Sequence, residues 1–311
     1  MKAERRDDLA LTVALVAVIV WGFNFPIQKH LIDLVSPGAF LFARYLIMPA
    51  CALLLLMWRF GGRLPPVSRR DLLLLAWLGF IGHSIHVSMV IWGMHWSTAF
   101  SSSLILACGP ISTLILLRAM GVERLGRWQV VGVAIACLGV LVFLSEKLLG
   151  ADWRATGGDL FLLLASSIFS YYTVMAKPLM ERLGAVPVMI YATLTGSVPV
   201  LVLCLPLGLG APWAVLTPFD WSLLVWTAAI SSFVGWLIWG WANAVRGVAR
   251  TAPLQYLMPP IAGVVAWYFT GERYDTIKVA GAAITLAGVA VAQFADGRGR
   301  AIAANLEQRA P

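Results

Sequence analysis

Long apolar runs separated by short polar segments make up most of the chain. The hydrocarbon core of a bilayer is about 30 Å thick, so a helix needs about 20 apolar residues to cross it. The runs reach this length repeatedly, which indicates membrane-spanning helices rather than the core of a soluble domain. Ten spans are predicted, at residues 9–29, 37–58, 71–94, 98–118, 128–146, 158–178, 186–207, 220–244, 251–270 and 276–295.

The first half of this pattern returns in the second half at an offset of 149 residues. Such repetition is typical of membrane carriers built by duplication. The pattern predicts an all-α membrane protein with two five-helix repeats, residues 1–148 and 149–296, and a polar, mobile cytoplasmic tail at 297–311. The matched pairs are Asp71/Asp220, Trp77/Trp226, Trp92/Trp241, Pro110/Pro259, Glu123/Glu272, Arg124/Arg273, Gly132/Gly281 and Gly139/Gly288.

Lysine and arginine fall unevenly on the two sides of the predicted spans. With a cytoplasmic N-terminus, 17 of the 23 lie on cytoplasmic segments, 5 lie on outer segments and Arg44 lies inside a span. This excess of positive charge predicts that both termini are cytoplasmic, in a bacterial inner membrane. Because five spans are an odd number, the second repeat must enter the membrane inverted. Inverted halves favour alternating access around a shared site, although a duplication can also simply enlarge a helix bundle.

The composition excludes several other classes of protein. Hydrophobic residues make up 60% of the chain, against about 45–50% in soluble domains. The net charge of +8 does not indicate a nucleic-acid partner, because the basic residues lie at span ends rather than on one face. The four cysteines are widely spaced inside apolar runs, so no metal site or cofactor is expected. Metalloprotease and serine hydrolase motifs are absent, which leaves an intramembrane enzyme as a remote alternative.

Three short motifs, taken in their order along the chain, carry a family resemblance. They are Trp-Gly-Phe-Asn-Phe-Pro at 21–26, Ala-Arg-Tyr at 43–45 and Gly-Glu-Arg at 271–273, the last followed by two glycines seven residues apart. Across about residues 9–295 the chain resembles the EamA branch of the drug/metabolite transporter superfamily. The resemblance implies a carrier that exports amino acids, other metabolites or drugs, with some members working in uptake. It also implies that the fifth and tenth helices lie outside the central cavity.

Two polar residues in the first two spans are the first candidates for substrate binding. Arg44 lies inside the second span, where a charge is costly and usually faces a cavity or a partner. Its repeat position is Thr193, so the cation belongs to one half only. Arg44 is expected either to bind an anionic group or to extend outward to Asp33 and loop carbonyls. Asn24 is expected to bind substrate or to satisfy the helix turn that Pro26 interrupts.

The third and fourth spans supply further polar candidates. His83 and His86 lie mid-span on neighbouring positions of one face. At least one is expected at the cavity, and the proton is a candidate coupling ion; a buried, hydrogen-bonded imidazole is the alternative. Ser102, in a run of three serines, either contacts substrate or allows close helix packing. Pro110 and its repeat mate Pro259 are candidate gating bends.

Aromatic and polar side chains in the second half form the remaining candidates. Half two carries Phe-Ser-Tyr-Tyr at 169–172 where half one has Trp-Gly-Phe-Asn. An aromatic cavity with a few polar groups suits an amphipathic organic solute, whereas lipid-facing tryptophan is the competing interpretation. The substrate-binding candidates of this half are Tyr171, Tyr172, Trp236, Trp239, Gln255 and Tyr256.

These patterns predict a secondary active transporter of a small amino acid-like or aromatic metabolite, most simply an exporter. Uptake or exchange by a carrier of the same fold is the alternative, and an inverted five-span repeat does not favour a channel. The expected partners are a small-molecule substrate and the lipid bilayer, with a homodimer as a candidate assembly. All 15 Asp and Glu residues can be placed in tails, loops or span ends, so a mid-membrane carboxylate relay is not expected.

Overall fold

Helices make up all the regular structure in the part of the chain that is described. The computed structural model describes residues 2–97, 99–121, 126–149, 156–270 and 275–307. The α-helices are α1 (Lys2–Val35), α2 (Pro37–Phe60), α3 (Arg69–Gly79), α4 (Val87–Trp96), α5 (Ala99–Leu106), α6 (Gly109–Met120), α7 (Arg127–Leu149), α8 (Thr156–Leu183), α9 (Ala185–Leu209), α10 (Pro218–Val225), α11 (Gly235–Arg246), α12 (Val248–Thr251), α13 (Met258–Thr270) and α14 (Thr276–Glu307). Short π-helical segments (Phe80–His86 and Trp226–Val234) and 3₁₀ segments (Trp213–Val215 and Ala252–Leu257) complete the set.

The helices agree with the predicted spans. Within the described ranges, seven helical stretches are long and apolar enough to cross a membrane, and one of them, Ser102–Met120, includes the turn between α5 and α6. Two shorter apolar stretches, Arg127–Val142 in α7 and Val279–Ala292 in α14, match the predicted fifth and tenth spans. The predicted ninth span is divided into α12, a 3₁₀ segment and α13. Helix α14 runs beyond its predicted end at 295 to Glu307, through two glycines and then a stretch at 301–307 in which three of the seven residues are alanine, the best helix former.

The third helical region of each half is built in the same way. Ser68 Oγ accepts a hydrogen bond from Asp71 N at 3.0 Å, and Thr217 Oγ1 accepts one from Asp220 N at 3.2 Å. These caps satisfy backbone donors at the starts of α3 and α10. Each helix then passes through a π-helical segment before continuing as α4 or α11. The local structure therefore repeats together with the sequence.

Equivalent helices of the two halves run in opposite directions. In the α7–α14 pair, a Cβ at Gly132 would overlap Ala292 and one at Gly139 would overlap Thr285. The partner number falls as the α7 number rises, so the two helices are antiparallel. The α2–α9 pair shows the same order, because Gly38 lies against Leu207 near the end of α9. Glycines allow these backbones to approach closely, and the antiparallel order is that of an inverted repeat.

The first helix of each half packs against helices of the other half. Helix α1 packs against α11 and α13 of the second half, and α8 packs against α4 and α6 of the first. Helices α7 and α14 pack mainly against each other. This arrangement brings the first four helical regions of both halves around a common centre.

Candidate functional site

A cavity of about 90 Å³ lies between the two halves. Both halves contribute to its wall. The first half supplies α1, α2, α4, α5 and its π-helical segment, and the second supplies α8, α11, α13 and its π-helical and 3₁₀ segments. None of the lining residues comes from α7 or α14, as the family resemblance implied. The cavity is lined by Trp21, Asn24, Phe25, Gln28, Arg44, His86, Val87, Val90, Leu106, Ser166, Phe169, Ser231, Ser232, Trp236, Gln255 and Met258.

Arg44 brings a buried positive charge to this cavity. The residue is 5% exposed, and its Nη1 donates a hydrogen bond to Gln28 Oε1 at 3.0 Å. Its Nε has no hydrogen-bond partner among the described residues. Asp33, the outward partner considered from the sequence, is bound instead to Lys29 Nζ at 2.9 Å. Since no Asp or Glu is among the lining residues, the cavity presents a guanidinium with only a neutral side-chain partner.

Asn24 lies one helical turn before Gln28 on α1 and also lines the cavity. Its Oδ1 accepts a hydrogen bond from Thr227 Oγ1 at 2.9 Å, in the π-helical segment of the second half. On the same helix, Trp21 Nε1 donates to the Ser231 carbonyl at 2.9 Å. Both bonds cross between the halves, so the polar face of α1 contributes to their docking as well as to the cavity wall.

The two candidate histidines occupy different environments. His86 lines the cavity, and its Nδ1 donates to the Ala165 carbonyl at 2.8 Å, because a carbonyl oxygen can only accept. His83 is fully buried outside the lining, and neither ring nitrogen has a hydrogen-bond partner among the described residues. Its ring centroid lies 4.7 Å from that of Trp236. The structure therefore brings one of the pair to the cavity and packs the other among aromatic rings.

The aromatic candidates of the second half divide into three groups. Trp236 lines the central cavity, whereas Tyr172 and Trp239 line a separate, smaller cavity between α8 and α11. Tyr171 lies outside both, where its hydroxyl accepts a 3.4 Å hydrogen bond from Trp77 Nε1. Tyr256 is fully buried but lines neither cavity, and its hydroxyl has no hydrogen-bond partner among the described residues.

The remaining candidates lie around breaks in the helices. Gln255 lines the cavity from the 3₁₀ segment, whereas Ser102 is buried in α5 away from it. Pro110 and Pro259 each stand in the first turn of a helix, α6 and α13, directly after an interruption. The equivalent prolines therefore mark equivalent breaks. Glu123 and Glu272, equivalent positions of the repeat, lie outside the described residues.

Several lining residues were missed from the sequence. Gln28 follows Asn24 by four residues, the spacing that places two side chains on one helix face, and this signal was available. Ser166, Ser231 and Ser232 are small polar residues within apolar runs, where serine more often serves helix packing. Phe169 gives no sequence signal, because one phenylalanine among many does not reveal which face it occupies.

Comparison with known proteins agrees with the fold. A "probable terminal-alkyne amino-acid exporter" from Streptantibioticus cattleyicolor is 28% identical over 280 residues, covering 90% of this chain and 92% of the relative. A "probable amino-acid metabolite efflux pump" from Salmonella typhimurium is 27% identical over 297 residues, covering 91% and 94%. A solved crystal structure superposes with a TM-score of 0.69 at 19% identity, covering 91% of this chain and 96% of that one.

The model of the EamA-like transporter family matches the sequence twice, at residues 8–145 and 156–293. Each match covers one of the two halves whose helices run antiparallel. This is a multi-pass membrane protein, and its family is one of transporters rather than enzymes. The chain belongs to the EamA-like transporter family.

Proposed function

We propose that this chain is a secondary carrier that exports an amino acid or an amino acid-like metabolite by alternating access. The observation that supports this function best is Arg44, a buried guanidinium in a cavity between two inverted halves. A buried charge is stable only when it is paired, and the lining residues supply no carboxylate. The carboxylate of a solute would complete the pair through a charge-assisted hydrogen bond.

The rest of the cavity wall suits the remainder of such a solute. Trp21, Phe169 and Trp236 provide aromatic surface, and Asn24 and Gln255 provide neutral hydrogen-bonding groups. A largely apolar wall with a few polar groups is the usual form of a small-molecule site. The names of the two bacterial relatives, both amino-acid exporters or efflux pumps, agree with this substrate class and direction.

The inverted halves support alternating access. Two similar halves of opposite orientation can exchange conformations, which opens a shared site first to one side and then to the other. The distribution of Lys and Arg favours cytoplasmic termini in a bacterial inner membrane. The proton remains the candidate coupling ion, and His86 is the titratable group besides Arg44 in the cavity lining.

The test is transport by purified protein in liposomes, screened with the twenty labelled standard amino acids with and without a pH gradient. Saturable, counterflow-competent transport of at least one of them is expected. Arg44→Gln should raise its KM about tenfold or more, the effect of losing a hydrogen bond between charged groups. Arg59→Gln is the matched control, because Arg59 is exposed near the end of the same helix.

Unchanged KM in Arg44→Gln would overturn the role of Arg44. Absence of saturable transport of any amino acid would overturn the substrate class. Transport only in the inward direction in oriented vesicles would favour the uptake carrier, and strict dependence on a second solute on the opposite side would favour exchange.

A further inference from the structure

The smaller cavity between α8 and α11 is separated from the central cavity by two aromatic side chains. Phe169 and Trp236 line both cavities, and their ring centroids lie 5.3 Å apart at an interplanar angle of 65°. The smaller cavity has a volume of about 10 Å³, room for about one water molecule. The two spaces thus lie on either side of one aromatic partition.

Three residues that line this small space each carry a buried polar atom without a partner among the described residues. These atoms are Thr173 Oγ1, Trp239 Nε1 and Asn243 Oδ1. All three residues are at most 5% exposed. Buried polar atoms are almost always satisfied in proteins, so three exceptions at one place need an explanation. A ligand that supplies both donors and acceptors would provide one.

The small cavity lies on the side of the partition that the charge distribution assigns to the cytoplasm. Asn243 stands three residues before Arg246, at the end of α11, and Met180 in the same lining stands two residues before Arg182 on α8. Both arginines fall on predicted cytoplasmic segments. A solute that moves from the cytoplasm to the central cavity between these two helices would pass this point.

Two of the three polar side chains of this space have no polar equivalent in the first half. At the offset of 149 residues, Trp239 corresponds to Val90 and Asn243 corresponds to Met94. Thr173 corresponds to Asn24, which is polar and lines the central cavity. Helix packing common to both halves does not require the polar groups of Trp239 and Asn243, since the first half packs without them.

We propose that the small cavity is a second binding site for the solute, which holds the ammonium-bearing head group of an amino acid before it passes Phe169 and Trp236. This inference rests on the proposed function. Asn243 Oδ1 and Thr173 Oγ1 accept hydrogen bonds from the ammonium group, and Trp239 Nε1 donates to a carboxylate oxygen. The neighbouring rings attract the cation through their faces. Movement of Trp236 and Met180 enlarges the space and joins it to the central cavity.

The test compares an amino acid that the wild-type protein transports with its des-amino carboxylic acid in the same liposomes. Thr173→Val and Asn243→Leu should each lower the maximal transport rate of the amino acid about tenfold, the effect of one hydrogen bond to a charged group. The des-amino acid should keep its rate within about twofold. Thr12→Val is the matched control, because it makes the same change on an exposed face of α1.

A second variant fills the space and leaves the polar atoms in place. A Cβ at Gly240 would meet the flexible end of Met180, so Gly240→Ala reduces the small cavity without a backbone collision. It should slow both solutes. Thr173→Val should also keep or raise the melting temperature, because it removes an unsatisfied buried hydroxyl.

Three outcomes would overturn the second site. The first is wild-type transport rates in Thr173→Val and Asn243→Leu, and the second is an equal loss for both solutes. The third is a lower melting temperature in Thr173→Val together with the slower transport, which would show a structural role. Absence of any amino-acid transport by the wild-type protein would overturn the proposed function and this site together. The first three outcomes overturn only the second site and leave the proposed function in place.

Discussion

Asp71 and Asp220 hold equivalent positions in the two halves, and each binds a side chain on the first helix of the opposite half. Arg182 Nη2 on α8 lies 2.6 Å from Asp71 Oδ1, and His30 Nε2 on α1 lies 2.7 Å from Asp220 Oδ1. The predicted topology places the first pair at the cytoplasmic face and the second at the outer face. These two equivalent contacts therefore join the halves at opposite predicted faces.

Loss of either contact should loosen one face and leave the other intact. Arg182→Gln should speed amide hydrogen exchange severalfold in the first turn of α3 and the last turn of α8. His30→Gln should do so at the start of α10 and the end of α1. Arg70→Gln, which changes an exposed arginine beside the first pair, is the control. The same increase in hydrogen exchange at both faces, in both variants, would show that the two contacts do not act on separate faces.

Asp7 should hold the N-terminal part of α1 against α12 and the end of α11. Its carboxylate receives two hydrogen bonds from Arg250, at 3.2 and 3.0 Å, and lies 3.5 Å from Arg246 Nε. Asp7→Asn should lower the free energy of unfolding by roughly 1–3 kcal/mol, less than for a fully buried pair because its side chain is about a third exposed. Thermal unfolding in detergent measures the change, with the exposed neighbour variant Asp8→Asn as control. Equal melting temperatures in the two variants would argue against the role of Asp7.

The contact between α7 and α14 should be intolerant of side chains at its glycines. Gly139→Leu should lower the free energy of unfolding by at least about 1–3 kcal/mol, because the new side chain collides with the backbone at Thr285. Ala134→Leu introduces the same side chain on an exposed face of α7 and should have little effect. Folded protein that remains should keep its KM, since α7 does not line the cavity. A stable Gly139→Leu variant would show that the helices are not closely packed here.

The charge of the cavity should decide whether a substrate carboxylate binds. Gln28→Glu places a carboxylate beside Arg44 in nearly the same shape, and so gives the guanidinium a permanent counterion. Substrate affinity should fall about tenfold or more, because the solute then competes for the same charge. Gln28→Met keeps the volume without a charge and should bind within a few-fold of wild type. Titration calorimetry on the purified protein compares the two variants, and equal affinities would refute a carboxylate contact.

His83 and His86 should differ in their importance for transport. His83→Phe removes two buried nitrogens that lack partners, so it should preserve or raise thermal stability. His86→Phe removes the hydrogen bond to Ala165 and changes the cavity wall, and it should impair transport. If His86 couples transport to the proton, transport by this variant should no longer depend on a pH gradient. A wild-type transport rate in His86→Phe would contradict a role for His86 in transport.

The fold was predictable because long apolar runs and a repeat at a fixed offset depend on residue type alone. The opposite membrane orientation of the two halves was predicted from the distribution of arginine and lysine. In the structure it corresponds to the antiparallel packing of α7 and α14 at Gly132 and Gly139. The extent of α14 was not predictable, because Gly297 and Gly299 favour an end of the helix near residue 295. The break before Met258 was predictable in part, because Pro253 and Pro259 flank it. The sequence did not show that the backbone between them would be a 3₁₀ segment.

The candidate site was predictable only where the residue type is unusual for a membrane helix. Arg44, Asn24, His86 and Gln255 are polar residues within apolar runs, and they line the cavity. Tyr171 and Tyr256 are equally unusual but lie elsewhere, because a tyrosine is accommodated both at exposed positions and in packed cores. Which face of each helix points inward depends on tertiary packing, and this is the part that one sequence does not supply.

The antiparallel pair of α7 and α14 means that the chain connection between the halves is not what keeps them together. Each half ends in a helix whose closest packing surface belongs to the other half, and each also holds the other's first helix. Two separate polypeptides that end and begin between α7 and α8 would present complementary surfaces in the bilayer and should reassemble into a working carrier. The cavity would then form wherever the two halves associate, whether or not one polypeptide joins them.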